Sequence, residues 1–179
     1  AARIQPFIVT LGTMSIYRSL ALYFADAGLV TTDNGLYREL ASATFGGVSL
    51  PALVLLVLTV LLGVVLRSTR FGRHVCAVGS NERVARYAAI PTGRVKFYTY
   101  LLAGVLAGVS AFLLGGRLSS ISSSGAGLSY ELDAIAAVII GGAAMTGGKA
   151  SVPGTLAGVL LLGIVSNVLD MWGVSVNLQ

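Results

Sequence analysis

Residues 141–151, GGAAMTGGKAS, form the stretch of this chain that most resembles a site for chemistry. A glycine-rich loop that ends in Gly-Lys and is followed by Ser or Thr can cradle phosphate groups and place a hydroxyl on Mg²⁺. That pattern needs glycine where the chain has Ala143, and a hydroxyl where it has Ala150. The stretch is therefore not predicted to bind a nucleotide.

Other side chains that could take part in catalysis or metal binding are few. The chain has one cysteine and one histidine, Cys76 and His74, so there is no disulfide framework and little for zinc. Glu131 and Asp133 lie two residues apart at a predicted membrane boundary. We interpret them either as the solvated end of a loop or as part of the lining of a substrate path. No Ser/His/Asp set or carboxylate pair has a convincing catalytic spacing, so the sequence predicts a protein that is not an enzyme.

Positive charge is concentrated in residues 67–96, which hold seven of the twelve Lys and Arg residues and one acid, Glu82. The net charge of this loop is +6, whereas the rest of the chain carries −1. Apolar runs flank the loop closely, and basic loops between membrane spans face the cytosol. Nucleic-acid binding is the competing interpretation of the charge, and the flanking apolar runs argue against it.

A short helix is predicted inside this loop, from about Ser80 to Ile90. Ser80 or Asn81 can cap its start, and Pro91 is expected to stop it. Glu82 lies in the first turn, where the helix dipole favours an acid.

The predicted helix is amphipathic. Its two sides are an apolar face and a charged face, formed respectively by Val84, Tyr87 and Ala88 and by Glu82, Arg83 and Arg86. Glu82 precedes Arg86 by one helical turn in the order that favours an ion pair. Such a helix between two membrane spans indicates a docking element for a partner. A basic helix lying on anionic lipid headgroups is the alternative.

The elements that hold this loop are apolar. Hydrophobic residues make up 55% of the chain and charged residues 11%, with a mean hydropathy of +0.86, against about 25% charged residues in an ordinary globular domain. The sequence predicts an all-α polytopic membrane protein with about five apolar helical segments, which are residues 4–25, 45–66, 97–116, 134–148 (short or re-entrant) and 150–169.

The positive-inside rule assigns sides to the remaining loops. With residues 67–96 in the cytosol, residues 26–44 and 118–133 are expected outside, and Lys149 inside if the fourth segment crosses. The expected organisation is a single transmembrane domain over residues 1–179, incomplete at both ends. A cleavable signal peptide is the alternative for the first apolar run.

The chain resembles a known family, the permeases of bacterial ABC transporters for ribose, xylose and related monosaccharides. The loop sequence RFGRHVCAVGSNERVARYAAI resembles the cytosolic loop of these permeases. Two further stretches match in the family's order, PFIVTLGTMSIYRSLAL near the start and YELDAIAAVIIGGAAMTGGKASVPGTLAGVLLLGIVSNVLDMWGV near the end.

The resemblance implies the transport subunit of an ATP-driven sugar importer in the bacterial plasma (inner) membrane, working by alternating access. The implied partners are cytosolic ATPase subunits, a second permease copy in a homodimer, a periplasmic or extracellular sugar-binding protein and membrane lipid, without nucleic acid. It implies no cofactor on this chain, because ATP and Mg²⁺ belong to the ATPase. An ion-coupled secondary transporter or channel is the alternative, and Arg18 is its one strong candidate for a charge inside a span.

The resemblance also implies which residues meet the partners. The expected ATPase interface consists of Gly79, Asn81, Glu82, Arg83, Val84, Ala85, Arg86 and Tyr87. The outer motif, which is expected to lie near the sugar path, consists of Tyr130, Glu131, Leu132 and Asp133. The chain departs from the family's usual pattern at Ala89, where glycine is common, and at residues 91–93. These departures concern the C-terminal end of the loop helix, where alanine is expected to stiffen the chain.

Overall fold

The computed structural model describes residues 6–31, 35–118 and 120–173. Over these residues the fold is mainly helical, with four very short strands between the helices. In chain order the elements are α1 (Pro6–Phe24), β1 (Leu29–Thr31), α2 (Gly35–Ser42), β2 (Thr44–Phe45), β3 (Val48–Ser49), α3 (Leu50–Ser68), α4 (Arg70–Ser80), α5 (Glu82–Tyr87), α6 (Thr92–Leu118), β4 (Ser120–Ser122), α7 (Tyr130–Ile140) and α8 (Val152–Met171).

Within the described residues, α3, α6 and α8 are the helices long and apolar enough to cross a membrane. They have 19, 27 and 20 residues, and a residue adds about 1.5 Å of length against a hydrocarbon core of about 30 Å. The apolar part of α1 is shorter, at Ile8–Phe24. Most large apolar side chains of these helices are exposed to the surroundings, as lipid-facing or helix-facing surfaces are. The all-α polytopic membrane fold is confirmed.

The start of α3 corrects the predicted segment 45–66. The helix begins at Leu50, and the residues before it form a hairpin in which Phe45 pairs with Val48. Gly46 and Gly47 have φ of +59° and +84°, the left-handed pair that a tight hairpin turn requires. The apolar run continues through this turn, so hydropathy alone could not separate hairpin from helix.

The helix predicted at residues 97–116 is longer at both ends, as Thr92–Leu118. It begins directly after Pro91, whose missing N–H costs nothing at a helix start. Its first turns carry Arg94 and Lys96, which the prediction assigned to the loop. At about 1.5 Å per residue its 27 residues exceed the thickness of the hydrocarbon core, so these charged turns can lie outside it.

The segment predicted at residues 134–148 is divided. Helix α7 begins at Tyr130 and ends at Ile140, and the glycine-rich residues that follow are not helical. Its end is fixed by Gly142 at φ +83°, where the N–H groups of Gly142 and Ala143 donate to the carbonyls of Ile139 and Val138 at 2.9 and 3.1 Å. The 11 residues of α7 are too few to cross a membrane as one helix.

Helices α7 and α8 form a closely packed antiparallel hairpin. A Cβ placed on Gly141 would lie 2.5 Å from the carbonyl carbon of Gly154. One placed on Gly158 would lie 3.0 Å from the carbonyl carbon of Ala137. The glycines therefore let the two backbones touch, which is how small residues support helix packing in membranes.

The chain divides into two compact units. The first comprises Ala1–Ala43 and Ala111–Leu128, and in it β1 pairs with β4 in antiparallel register. Ser123 reinforces the pairing, because its N–H and its Oγ donate to the carbonyl of Gly28 at 3.3 and 2.8 Å. Residues 28–31 and 120–123 therefore lie side by side within this unit.

Arg18 also lies in the first unit, where its Nη2 donates to the carbonyl of Gly127 at 3.4 Å. Gly127 belongs to the loop that follows β4. The guanidinium therefore has a structural partner near a loop, which gives it a role other than binding a coupling ion inside a span.

The second unit comprises Thr44–Ser110 and Ser129–Gln179. Among its described residues the buried side chains are small, and they include Ala85, Thr92, Val95 and Ala137. The residues of the basic loop and the α7–α8 hairpin belong to this unit.

Candidate functional site

A sharp turn at Thr69 connects α3 to α4. The Thr69 Oγ1 donates to the carbonyl of Val65 at 2.6 Å and accepts from the N–H of Gly72 at 3.2 Å. Gly72 is buried, and a Cβ there would lie 2.6 Å from the carbonyl carbon of Leu66. The turn thus holds the first residues of α4 directly against the end of a membrane helix.

Asn81 is the cap that begins α5. Its Oδ1 accepts from the N–H groups of Arg83 at 3.0 Å and Val84 at 3.2 Å. Of the two residues predicted as caps, Asn81 is therefore the one that acts. Its extended backbone, with φ −158° and ψ 106°, also separates α5 from α4.

Glu82 joins α5 to α6. Its carboxylate accepts from Arg86 Nη2 at 3.0 Å and from Lys96 Nζ at 2.7 Å. Hydrogen bonds from Lys96, and then from Arg86, hold the pKa of the Glu82 carboxyl below its usual value. The predicted Glu82–Arg86 pair is confirmed. The Lys96 pair was missed, because it depends on the turn that follows α5.

The end of α5 differs from the prediction. The helix ends at Tyr87 rather than near Ile90, and Pro91 does not stop it. Ala89 has φ +57°, and the N–H groups of Ala89 and Ile90 donate to the carbonyls of Arg86 and Ala85, both at 3.1 Å. This pattern is a Schellman cap with alanine in the left-handed position that glycine usually fills.

The predicted interface residues separate by exposure. Val84 is 60% exposed and Tyr87 91%, and Arg83 and Arg86 are exposed beside them. Ala85 is 3% exposed, so it packs beneath α5, and its predicted contact with a partner stays a prediction. The structure thus gives α5 one outward surface, here called the α5 face, made of Arg83, Val84, Arg86 and Tyr87.

Gly79, predicted as an interface residue, lies against another part of the same chain. A Cβ on Gly79 would be 2.8 Å from the backbone nitrogen of Gly148. Sequence reasoning missed this contact. The two glycine pairs in residues 141–151 were a signal that a backbone must come close there, but they did not identify Gly79 as the partner.

The outer motif lies at the start of α7. Glu131 and Asp133 are in its first turn, where the positive end of the helix dipole favours carboxylates. Tyr130 is 56% exposed. These residues were predicted as the end of a loop and are instead helical. They stand at the opposite end of α7 from the loop that contacts Gly79, so the two predicted sites are separate.

In residues 6–31, 35–118 and 120–173 no group of three or more His, Cys, Asp or Glu side chains could hold a metal ion. The side chains that the structure brings together in the basic loop form caps, ion pairs and an exposed helix surface. This arrangement can bind a protein surface.

Comparison with known proteins identifies the kind of chain. Residues 1–179 match the family described as branched-chain amino acid transport system / permease component. The chain is 41% identical over 176 residues to the ribose import permease protein RbsC of Bacillus subtilis, covering 97% of this chain and 54% of that protein. It is 37% identical to the RbsC of Escherichia coli K12, over 97% of this chain and 55% of that protein.

A third relative is the L-arabinose transport system permease protein AraH of Escherichia coli K12, 31% identical over 97% of this chain and 52% of that protein. The chain thus spans about half the length of the curated relatives it matches. No solved structure matches it. Members of this family are membrane transport components rather than enzymes. Because the family match extends over the whole chain, the chain belongs to this family of transport permeases.

Proposed function

We propose that this chain is part of the membrane-spanning permease of an ATP-driven importer of monosaccharides in the bacterial inner membrane. The observation that carries the proposal is the exposed α5 face, which α3 and α6 present at one end of the membrane-spanning unit. The names of the relatives support the substrate class, since they are ribose and arabinose permeases.

In this proposal the α5 face binds a cytosolic ATPase. Tyr87 and Val84 supply apolar area beside the exposed Arg83 and Arg86. Aromatic and arginine side chains of this kind carry much of the binding energy at protein interfaces. The ATP and Mg²⁺ are held by the ATPase, and this chain binds no cofactor of its own.

Transport then follows from movement rather than from covalent chemistry. ATP binding and hydrolysis on the partner displace the α4–α5 loop, and the membrane helices move as rigid bodies so that access alternates between the two sides. A second permease copy completes the path, and a sugar-binding protein delivers the substrate from outside. Tyr130, Glu131 and Asp133 are proposed to lie near the sugar path, and lipid to cover the apolar surfaces that no protein covers.

The test of docking uses two exposed members of the α5 face, one basic and one aromatic. We expect Arg83→Glu and Tyr87→Ala each to weaken association with the cognate ATPase by about tenfold or more, the effect of losing an interface hot spot. Association is measured by pull-down from membranes, and ATP-driven sugar uptake is measured in the same cells.

The control for Arg83→Glu is Arg94→Glu, which makes the same charge change at an exposed position in the first turn of α6. We expect Arg94→Glu to leave association nearly unchanged. If Arg83→Glu combined with Arg86→Glu left both association and uptake intact, the α5 face would not be the docking surface.

A further inference from the structure

The last two residues of α4 lie against the glycine-rich loop between α7 and α8. A Cβ on Gly79 would be 2.8 Å from the nitrogen of Gly148, and one on Gly147 would be 2.9 Å from the carbonyl carbon of Gly79. A Cβ on Gly148 would in turn lie 2.9 Å from Ser80 Cβ. The contact therefore joins the backbone of Gly79 to that of residues 147–148, and the Ser80 side chain packs directly against Gly148. It is called the glycine contact below, and consists of residues 79–80 and 147–148.

Only glycine fits the loop side of this contact. Gly147 and Gly148 have φ of +86° and +82°, which side-chain-bearing residues rarely adopt. Both positions therefore have no side chain and a left-handed backbone, which lets the loop pack against the end of α4. The need for glycine at this contact explains the Gly147–Gly148 pair in residues 141–151, a stretch that does not match a phosphate-binding loop.

The loop that carries the contact is well braced. The N–H of Gly147 donates to the carbonyl of Ala144 at 2.9 Å, and the N–H of Ala144 donates to the carbonyl of Lys149 at 3.2 Å. At its far end Ser151 caps α8, with its Oγ accepting from the N–H of Gly154 at 3.1 Å. A short loop with internal hydrogen bonds and fixed ends transmits a displacement with little deformation.

Beyond the loop the same kind of contact continues. Gly141 touches Gly154 and Ala137 touches Gly158 through backbone atoms. Close-packed contacts are stiff, and a shift at one end of such a series must move the other end. A series of backbone contacts therefore runs from the end of α4 to the middle of the α7–α8 hairpin.

We propose that the glycine contact is the positioning contact through which movement of the α4–α5 loop drives the α7–α8 hairpin during transport. This inference rests on the proposed function, because the movement is the one imposed by the docked ATPase. It adds that Gly79 faces the hairpin and not the ATPase. The contact stays closed throughout the cycle, and the loop and the hairpin move as one body.

The first test loosens the contact in the assembled transporter. We expect Gly79→Ala, and more strongly Gly79→Val, to push residues 147–148 away and to lower the sugar imported per ATP hydrolysed. A fall of about 2- to 30-fold corresponds to the usual range of coupling effects. Association with the ATPase stays within about twofold of the original, a combination that a general folding defect would not give.

The matched control is Gly93→Ala. Gly93 lies in the first turn of α6, and a Cβ there meets nothing within 4 Å, so the coupling ratio is expected to be unchanged. If Gly79→Val left the ratio unchanged, or if Gly79→Ala abolished ATPase association, the inference would be overturned while the proposed function remained. If the unaltered transporter showed no ATPase association, the proposed function itself would fail.

The second test closes the contact covalently and does not depend on tolerating a bulky residue. Ser80→Cys and Lys149→Cys are introduced with Cys76→Ala, which removes the chain's one native cysteine. Lys149 is the exposed neighbour of Gly148 and has no left-handed backbone, so it accepts a cysteine without strain. We expect the oxidised, cross-linked transporter to import sugar at about the rate of the same protein after reduction. Uptake that is blocked by oxidation and restored by reduction would show that the contact must open, and would overturn the inference.

Discussion

Ala89 is the residue at which the sequence of the loop and its backbone conformation disagree most. Its φ of +57° costs a residue with a Cβ about 1–2 kcal/mol relative to right-handed backbone. The end of α7 uses the same two cap hydrogen bonds, with Gly142 in the equivalent place at φ +83°. The cap is therefore made by the hydrogen bonds and by the departing chain, and alanine bears a strain that glycine avoids.

Replacing this alanine should relieve the strain. We expect Ala89→Gly to raise the free energy of unfolding by about 1 kcal/mol, because the left-handed penalty removed exceeds the extra entropy of an unfolded glycine. Thermal or denaturant unfolding of the detergent-solubilised protein measures the change. Ala88→Gly is the matched control, since Ala88 has an ordinary φ of −81° and should lose stability. An Ala89→Gly protein no more stable than Ala88→Gly would show that the cap is unstrained.

The residue-level details that sequence could predict are the local ones. The Asn81 cap and the Glu82–Arg86 pair depend only on positions within one or two turns of helix, so their spacing was enough. The Glu82–Lys96 pair and the contact of Gly79 with Gly148 depend on turns whose direction is set by backbone conformation. Such contacts leave no periodic signal in the sequence.

At the scale of elements, Glu82 is the side chain that joins α5 to α6. Its carboxylate lies between Arg86 and Lys96 and is solvent-accessible. The two ion pairs therefore add little to the stability of the protein and mainly orient α5 relative to α6. The neighbouring cations lower the pKa of Glu82 in the folded protein, and the Lys96 hydrogen bond is the larger cause. The orientation of the α5 face therefore depends on this carboxylate being ionised.

Acid should weaken this link. A carboxyl whose pKa is lower in the folded than in the unfolded protein contributes stability that is present above the unfolded pKa of 4.5 and is lost as the pH falls through the folded pKa. We expect the melting temperature to fall below pH 4.5 less steeply in Glu82→Gln than in the unaltered protein, because the glutamine cannot ionise. Glu39→Gln is the control, an acid in α2 outside this loop. Identical pH profiles for Glu82→Gln and the unaltered protein would exclude a contribution from the link.

Hydropathy located the middles of the long helices well and their ends poorly. The middles are apolar for about 20 residues, which only a membrane span demands. The ends are decided by backbone conformation, as at the Gly46–Gly47 turn before α3 and the Gly142 cap after α7. In both places the apolar sequence extends beyond the helix, so hydropathy does not show where the helix begins or ends.

At the scale of the whole molecule, the prediction concerns the orientation of the second unit, that is, which of its ends faces the cytosol. The β2–β3 hairpin lies at the start of α3, and α4 follows its other end. The loop carrying Gly147 and Gly148 lies with the end of α4. The basic loop and residues 141–149 should therefore share the cytosolic side, with the hairpin on the outer side.

Cysteine labelling in intact cells tests this arrangement with two exposed positions. Phe45, in the hairpin, is 65% exposed, and Met145, in the loop, is 80% exposed. In a Cys76→Ala background we expect Phe45→Cys to react with a membrane-impermeant maleimide added outside. Met145→Cys should react only after the membrane is opened, because seven of the twelve basic residues hold its neighbourhood in the cytosol. The reverse pattern would invert the unit, and the α5 face could then no longer meet a cytosolic ATPase.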